Sequence, residues 1–438
     1  MDWQTRDRQV LWHPFTQHDE WDRLPMLCIE RGEGMYLIDT DGKRYLDGVS
    51  SLWCNLFGHR HPRLDAAVRA QLERIAHSTL LGLSHPNAVV LAEKLVAAAA
   101  PLGGGLRRVF YSDSGSTATE VALKMAFQAQ QQRGQRQRIR FAALSEAYHG
   151  DTLGAVGVGG IPLFHQVYQP LLTQALRIPA PERPDPVEEA ACLREAEALF
   201  AAHGEQVAAF IFEPLVQGAA GMRMHSPGWL RRLCTLAKEA GILLIADEVA
   251  TGFGRTGSLF AMEQVGVEPD LLCVAKGLTG GYLPLAATLA SEAVFSAFRG
   301  PYAENRTLFH GHTYTGNPLA CAAAIATLEL LEEEAVIAQL PAKAAILAEA
   351  MAGLRHPWIQ ERRQCGMMAA FVLGPEEGAW KAADRIGLRV CYEARKAGAV
   401  VRNLGDAIVL MPPLAMEEPE LRRMVAAVGE GIAAVAAG

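Results

Sequence analysis

The sequence predicts an α/β protein with a mostly parallel sheet in a large domain, accompanied by a smaller domain. Three apolar runs, residues 207–212, 242–246 and 271–275, have the length and the flanking turn residues of buried parallel strands. The intervals between them suit one crossover connection each. A chain of 438 residues exceeds the usual size of a single core, and this length predicts the second domain.

Each of the three runs ends on a charged residue: Glu213, Asp247 and Lys276, at spacings of 34 and 29 residues. The carboxyl ends of parallel strands meet at one sheet edge, where ligands bind in open α/β proteins. Lys276 is one of only 8 lysines among the 41 basic residues. Burial lowers a lysine pKa from its usual ~10.4, and the neutral amine can then attack a carbonyl carbon.

A carboxylate beside such a lysine can keep a pyridinium nitrogen protonated, so Lys276 and Asp247 together indicate pyridoxal phosphate chemistry. The alternative is that Lys276 extends to solvent at a strand end while Asp247 caps the next turn. Three glycines, at 277, 280 and 281, directly follow the lysine and favour the chemical interpretation.

The amino-acid composition limits the classes of protein to which this chain can belong. Half of the residues are hydrophobic and 20% are charged, which is typical of a soluble globular chain. The net charge of -7, without any cluster of Lys and Arg, argues against a nucleic-acid surface. The 8 cysteines form no C-x-x-C pair and predict reduced thiols in a cytoplasmic protein. No apolar stretch has the length of a signal peptide or a membrane span.

A second candidate for ligand binding follows a short predicted strand, residues 107–111. The segment 112–120, SDSGSTATE, leads from this strand into a helix. Such a junction presents free backbone N–H groups and hydroxyls to an anion. The alternative is an ordinary helix start with a capping box from Thr117 to Glu120.

Three further motifs contain residue types that can bind a cofactor or a metal. Tyr148 lies just past a predicted strand, residues 139–144, where an aromatic ring can stack on a flat cofactor. Residues 252–257 match G-x-G-x-x-G, but five residues separate them from the preceding strand, so we reject a dinucleotide site. His59 and His61 lack a third ligand at a suitable spacing, and we expect no metal.

Two segments, IADEVATGFGRTG and PDLLCVAKGLTGGYLPLAATL, resemble the class III, omega-type aminotransferases of fold type I, and the likeness extends over nearly the whole chain. This resemblance implies a seven-stranded, mostly parallel sheet, a smaller α+β domain, a pyridoxal 5'-phosphate cofactor and a homodimer with shared active sites. It divides the chain into an N-terminal arm with part of the small domain (1–60), a large cofactor-binding domain (61–325) and a C-terminal small domain (326–438).

The resemblance also implies roles for individual residues. Catalysis falls to Lys276, which holds the cofactor and moves protons, to Asp247 at the pyridine nitrogen, and to Tyr148 beside the substrate amine. The implied cofactor-binding residues are Gly115, Ser116, Tyr148, Asp247, Lys276 and Thr313, the last reaching the partner's cofactor phosphate. The implied substrate-binding residues are Trp53, Phe15, Tyr148, Asp151, Arg255 near the substrate entrance, Gly311, and Arg402 for the substrate carboxylate. Glu213 is expected to contact Arg255 or the surroundings of the cofactor ring.

Within this family the segments LWHPFTQ, SDSGSTATEVALKMA, AYHGDTLGA, EPLVQGAAGM and HGHTYTGNPLACAAA most resemble the branch that acts in biotin synthesis. That likeness implies S-adenosylmethionine as amino donor and 8-amino-7-oxononanoate as acceptor. Departures from the branch pattern at Phe15, Leu52, His312, Asn403 and Leu404 leave open another omega-aminotransferase, using lysine, a diamine or an amino acid. A non-catalytic protein on the same fold is the second alternative, although it would have no need of Lys276.

Overall fold

A seven-stranded sheet forms the centre of the chain, of which the computed structural model describes residues 2–437. The strands are β1 (Ile29–Glu33), β2 (Tyr36–Asp39), β3 (Arg44–Asp47), β4 (Leu106–Ser112), β5 (Arg140–Leu144), β6 (Leu176–Ile178), β7 (Val207–Phe212), β8 (Val216–Gln217), β9 (Arg223–Met224), β10 (Leu243–Asp247), β11 (Leu271–Val274), β12 (Ala286–Ser291), β13 (Ile359–Cys365), β14 (Met368–Leu373), β15 (Ala399–Val400), β16 (Arg402–Leu404) and β17 (Ala407–Leu410). The α-helical segments are Trp3–Val10, His18–Trp21, Ser50–Trp53, Pro62–Leu72, Pro86–Ala99, Gly115–Gln132, Leu153–Val158, Pro162–His165, Pro186–His203, Pro227–Glu239, Met262–Val265, Glu292–Ser296, Pro318–Glu333, Val336–Gly353, Ile386–Lys396 and Glu418–Ala437.

The order of the central sheet is β4-β12-β11-β10-β7-β5-β6, and only β12 runs antiparallel to its neighbours. The predicted mostly parallel, seven-stranded sheet is therefore confirmed. All residues of β7, β10 and β11 are buried, as expected for strands covered on both faces. These three strands are direct neighbours, so their carboxyl ends lie side by side.

Predicted strand bounds agree with the structure to within one or two residues, with one larger difference. The sequence also predicts a strand over 283–290, either at the sheet edge or antiparallel. This strand is antiparallel, as predicted, but it begins only at Ala286 and pairs on both sides, inside the sheet. Pro284 has no backbone N–H, so it cannot donate to a ladder and delays the start of the strand.

Smaller sheets flank the central one. Two alternating runs joined at Asp41-Gly42 predict a hairpin over 35–47. It is confirmed as β2 and β3, and Gly42 in its turn has a φ of +81°. β15, near the C-terminus, pairs in parallel with β3, so segments from both ends of the chain share the sheet β1-β2-β3-β15. The other four-stranded sheet has the order β13-β14-β17-β16. The division at residues 60 and 325 remains a prediction.

Among the described residues one helix, Val336–Gly353, is long and apolar enough to cross a membrane by length and composition. It packs against the helix Glu418–Ala437. Its Lys343 is buried, donates to the Leu414 carbonyl at 3.0 Å and pairs with Glu417 at 2.8 Å. These contacts are those of a helix packed inside a folded domain.

The segment Ser50–Trp53 is a single left-handed helical turn. Its four φ angles are +50°, +48°, +75° and +70°, and none of its residues is glycine. The Trp53 N–H donates to the Val49 carbonyl at 2.7 Å, and the Cys54 N–H donates to the Ser50 carbonyl at 3.0 Å. Left-handed helical backbone costs about 1–2 kcal/mol per non-glycine residue, so other contacts must hold this turn.

A buried carboxylate organises the loop after β10. Glu248 accepts hydrogen bonds from the Thr251 hydroxyl at 2.7 Å, the Ala261 N–H at 3.0 Å and the Met262 N–H at 2.8 Å. Burial raises the pKa of Glu248 to about 7, although these hydrogen bonds oppose the shift. The folded protein therefore binds this proton more tightly than the unfolded chain does.

Because the folded pKa exceeds the unfolded value, the stability that protonated Glu248 contributes is lost as the pH rises from about 4.5 to about 7. We expect the Tm of the wild type minus the Tm of Glu248→Gln to be larger at pH 5 than at pH 8. Calorimetry measures both Tm values. Glu239→Gln, at an exposed position at the end of the helix Pro227–Glu239, serves as the control and should show a constant difference. A pH-independent difference for Glu248→Gln would contradict the raised pKa.

Candidate active site

A cavity of about 720 Å³ opens at the carboxyl ends of β7, β10 and β11. Glu213 follows β7, Asp247 is the last residue of β10, and Lys276 comes two residues after the end of β11. All three side chains line the cavity. The structure thus brings together the three charged residues that the sequence placed at one sheet edge.

Lys276 is partly exposed to the cavity and otherwise enclosed by protein. Burial lowers its pKa from the ordinary value, while the charges of Asp247 and Glu213 oppose that shift. Its Nζ lies 4.9 Å from the centroid of the Trp53 ring, within range of a cation–π contact. The residue has a φ of +46°, in the left-handed region. The lysine therefore has a strained backbone conformation. Its lowered pKa increases the fraction of neutral amine, which is the nucleophilic form.

Asp247 is fixed by two hydrogen bonds. Its Oδ2 lies 2.7 Å from His149 Nδ1, and its Oδ1 accepts from the Val249 N–H at 3.1 Å. The His149 side chain is fully buried, and its Nε2 has no hydrogen-bond partner among residues 2–437. These two contacts fix the orientation of the Asp247 carboxylate at the cavity.

Glu213 accepts hydrogen bonds from the Tyr148 N–H at 3.1 Å and the Gly218 N–H at 2.9 Å. Burial raises its pKa to about 7, with His149 opposing the shift and Asp247 adding to it. Glu213 therefore lies among the residues around the predicted ring site. It has no ion pair with Arg255 in the described chain, so the first of the two predicted contacts is absent, and a contact of Glu213 near the cofactor ring stays a prediction.

A helix start forms one wall of the cavity, where Ser114, Gly115 and Ser116 line it. Ser114 is the N-cap of the helix Gly115–Gln132 and forms a capping box with Thr117. The alternative capping box from Thr117 to Glu120 is wrong, because the Glu120 carboxylate accepts from the N–H groups of a different helix, Leu153–Val158.

This helix start is suited to an anion. Within residues 2–437, no protein acceptor takes the backbone N–H groups of Gly115 and Ser116. A Cβ atom added to Gly115 would lie 2.5 Å from Val249 Cγ1, so only glycine fits there without a shift of Val249. The Ser116 hydroxyl bonds to Thr152 Oγ1 at 2.8 Å and accepts from the Thr152 N–H at 3.0 Å.

Aromatic side chains extend from the cavity towards the N-terminal arm. The Tyr148 hydroxyl donates to Asp151 Oδ2 at 2.8 Å, and both residues line the cavity. Phe164 lies between the arm and the cavity, with its ring centroid 6.2 Å from that of Tyr148 and 5.4 Å from that of Phe15. Phe15 is thus linked to the cavity through Phe164, although it does not itself line the cavity.

The structure separates several predicted substrate residues from the cavity. The prediction that Arg255 lies near a substrate entrance is wrong: the side chain is 1% exposed and donates to the carbonyls of Pro412 at 2.5 Å and Asn55 at 2.8 Å. Its guanidinium therefore links the backbone at Asn55 to the backbone at Pro412. Arg402 is partly exposed on β16, outside the cavity lining. Gly311 and Thr313 lie exposed on a loop, also outside the lining.

Sequence reasoning missed three contributors to the site: His149, Thr152 and Phe164. His149 directly follows Tyr148 just past a predicted strand, and a buried Tyr-His pair at that point was the available signal. Thr152 is paired with Ser116 across 36 residues, and no local pattern reports such a pairing. Phe164 lies on a four-residue helix that the sequence periodicity does not mark.

The residues present fit a pyridoxal phosphate. The free N–H groups of the helix start suit its phosphate, the buried carboxylate of Asp247 suits its ring nitrogen, and Lys276 suits its aldehyde carbon. Thr313 is the predicted cofactor residue that the cavity of this single chain does not include.

Gly115→Ala should weaken binding of the cofactor at least about tenfold, because the added methyl group pushes Val249 and displaces the helix start from the anion. Equilibrium dialysis of cofactor-free protein measures this affinity. Replacing Val249 by alanine in the same chain removes the clash, and the double variant should recover most of the affinity. Unchanged affinity in Gly115→Ala would contradict the assignment.

Comparison with known proteins extends these observations. Residues 17–430 match the family model described as aminotransferase class-III. An adenosylmethionine-8-amino-7-oxononanoate aminotransferase from Nitratidesulfovibrio vulgaris is 51% identical over 98% of this chain and 81% of its own length. One from Geobacter sulfurreducens is 46% identical over 100% of this chain and 98% of its own length.

Solved structures agree with this match. The adenosylmethionine-8-amino-7-oxononanoate aminotransferase of Methanocaldococcus jannaschii superposes with a TM-score of 0.94 at 40% identity, covering 98% of both chains. An amine transaminase from an uncultivated Pseudomonas species, solved with pyridoxal phosphate bound, gives 0.90 at 36% identity over 97% of this chain and 98% of its own. With sequence, fold and the lysine-bearing cavity in agreement over almost the full length, this chain belongs to the class III aminotransferases.

Proposed function

We propose that this aminotransferase uses pyridoxal 5'-phosphate to transfer an amino group from S-adenosylmethionine to 8-amino-7-oxononanoate, forming 7,8-diaminononanoate in biotin synthesis. The observation that carries the proposal is the full-length identity of 46% and 51% to two relatives named for this reaction. The cavity supports it, because the amine, the carboxylate and the anion site that the reaction requires all lie on one surface.

When bound, the cofactor supplies the carbonyl group that exchanges amines and a ring that accepts carbanion charge. Lys276 supplies the amine that holds it and the base that moves the proton at the donor's α-carbon. Because burial lowers its pKa, a larger share of Lys276 is neutral at a given pH, and neutral amine is the form that accepts a proton. The same side chain then returns the proton as the acid.

Asp247, whose carboxylate lines the cavity, would keep the cofactor's ring nitrogen protonated. His149 Nδ1 orients that carboxylate from 2.7 Å. The Tyr148 hydroxyl is oriented by Asp151, so the pair can position a substrate amine in the cavity. Trp53 closes the side of the cavity next to Lys276 and excludes water there.

Arg402 is proposed to bind the carboxylate of the acceptor. Within the described chain, no ion pair and no hydrogen bond engages its guanidinium, so the group is free to form a bidentate pair. Reaching a substrate in the cavity requires the acceptor's long carbon chain to extend from the cavity towards β16.

We propose that the active enzyme is a cytoplasmic homodimer with shared sites, in which Thr313 and Gly311 face the partner's cofactor. Support comes from the exposed apolar residues on the same loop, since Phe309 is 73% and Tyr314 is 60% exposed in the isolated chain. Apolar exposure of this size on one loop is typical of a surface that is covered in the assembly.

A second candidate is an omega-aminotransferase with a different amino donor. Its support is the superposition on the omega transaminase of Pseudomonas jessenii solved with PMP, which has a TM-score of 0.94 at 28% identity and covers 100% of this chain and 99% of its own. Phe15, which carries no hydroxyl, and the exposed Leu52 border the region where donors would differ.

Mixing the cofactor-loaded protein with S-adenosylmethionine alone should abolish the visible absorption band of the lysine-bound cofactor, and 8-amino-7-oxononanoate should restore it. Stopped-flow spectroscopy measures both steps. Lys276→Ala is the control: it has no lysine-bound cofactor and should transfer no amino group to 8-amino-7-oxononanoate, since it lacks the amine that moves the proton. A band that persists with S-adenosylmethionine but fades with lysine would overturn the proposed donor and favour the second candidate.

Arg402→Ala should raise KM for 8-amino-7-oxononanoate by about 10–100-fold, because a hydrogen-bonded charge contact is worth about 1.5–3 kcal/mol. Steady-state assays compare the acid with the primary amide of the same acceptor, which has no carboxylate. The wild type should favour the acid, while the variant should treat both alike. Arg389→Ala, at an exposed arginine of a neighbouring helix, should keep the wild-type preference. A variant at 402 that still favours the acid would assign the carboxylate to another residue.

A further inference from the structure

The left-handed turn Ser50–Trp53 borders the cavity and is held by one carboxylate. Asp47 Oδ1 accepts from the Ser51 N–H at 2.9 Å, and Oδ2 accepts from the Ser51 hydroxyl at 2.7 Å. Oδ2 also lies 3.0 Å from His59 Nε2. The Asp47 side chain is completely buried and does not line the cavity. The side-chain contacts of this carboxylate are therefore made to Ser51 of the turn and to His59.

The turn is also attached at its first residue. The Ser50 hydroxyl donates to the Met411 carbonyl at 2.6 Å, next to the end of β17. Two anchors thus hold backbone that non-glycine residues rarely adopt. Without the Asp47 anchor, right-handed or extended conformations of residues 51 and 52 become accessible, since these are the ordinary minima.

The turn determines where the Trp53 ring lies. One face of that ring meets the Lys276 Nζ at 4.9 Å. On another side it packs on Gly218, where an added Cβ would lie 3.1 Å from Trp53 Cζ3. Glu213 holds the Gly218 backbone through its N–H at 2.9 Å. The ring is therefore enclosed between the lysine and a fixed backbone, and its position depends on the residues that lead into it.

We propose that Asp47 is a positioning residue that controls substrate binding by holding the left-handed turn and, through it, the Trp53 wall of the cavity. It touches no reacting atom. When its hold is weakened, the wall becomes mobile, so substrate binding weakens while proton transfer at Lys276 continues. The proposal rests on the cavity as the substrate site and does not require S-adenosylmethionine as the donor.

The test compares Asp47→Asn with Asp39→Asn, a matched control on the neighbouring hairpin. Asp39 is also buried, and both its oxygens accept hydrogen bonds within a turn, from the N–H groups of Asp41 and Lys43 and from the Tyr45 hydroxyl. The half-reaction is followed at varied donor concentration with S-adenosylmethionine and, separately, with lysine. Whichever amine reacts reports on the turn, so a wrong donor assignment does not affect the result.

For Asp47→Asn we expect the half-saturating amine concentration to rise about tenfold, while the maximal rate stays within about threefold of the wild type. Asp39→Asn should leave both values unchanged. A second readout uses cofactor-free protein: mass spectrometry should show faster alkylation of Cys54, whose thiol contacts the Ser50 and Ser51 carbonyls. The partly exposed Cys28 and Cys365 are internal references.

Ser51→Ala removes only one of the Asp47 contacts and should shift both readouts in the same direction by a smaller amount, which keeps the test valid if Asp47→Asn does not fold. Asp47 variants whose half-saturation and Cys54 reactivity match those of Asp39→Asn would overturn the proposal. A fall in maximal rate with unchanged half-saturation would also overturn it, because that result would make Asp47 part of the proton-transfer machinery.

Discussion

Burial of an amine between two carboxylates is the constraint on which the rest of the site depends. Burial favours the neutral form of Lys276, while Asp247 and Glu213 draw it back towards the charged form. The arrangement is tolerable because each carboxylate has its own donors: His149 and a backbone N–H for Asp247, and two backbone N–H groups for Glu213. Residues of the surrounding loops supply those donors.

Much of this arrangement could be predicted from the sequence. The buried parallel strands are visible in it as apolar runs, and a charged residue marks the end of each run. The three neighbouring strands and the cavity-lining positions of Lys276, Asp247, Tyr148 and Gly115 follow from that pattern and from the family resemblance. Arg255 shows where such reasoning fails. The family resemblance implied that Arg255 lies near the substrate entrance, but burial among backbone carbonyls is decided by tertiary packing.

Backbone strain was equally invisible in the sequence. Left-handed conformations usually coincide with glycine or asparagine, yet the segment SSLW adopts four in succession and Lys276 adopts another. Only the completed structure contains the contacts that compensate for them: a buried carboxylate, a distant carbonyl and a packed ring. Two of these residues, Trp53 and Lys276, line the same cavity, which agrees with the general concentration of such conformations at functional sites.

Pairing between the two ends of the chain has a consequence for biosynthesis. β3 pairs with β15, and Ser50 bonds to a carbonyl 361 residues further along. Contacts of such long sequence separation close large loops and form slowly. During translation the central sheet can assemble while the N-terminal strands still lack their partner. The wall of the catalytic cavity is therefore completed only after the C-terminal strands have left the ribosome, and until then the outer edge of β3 has no hydrogen-bonded neighbour.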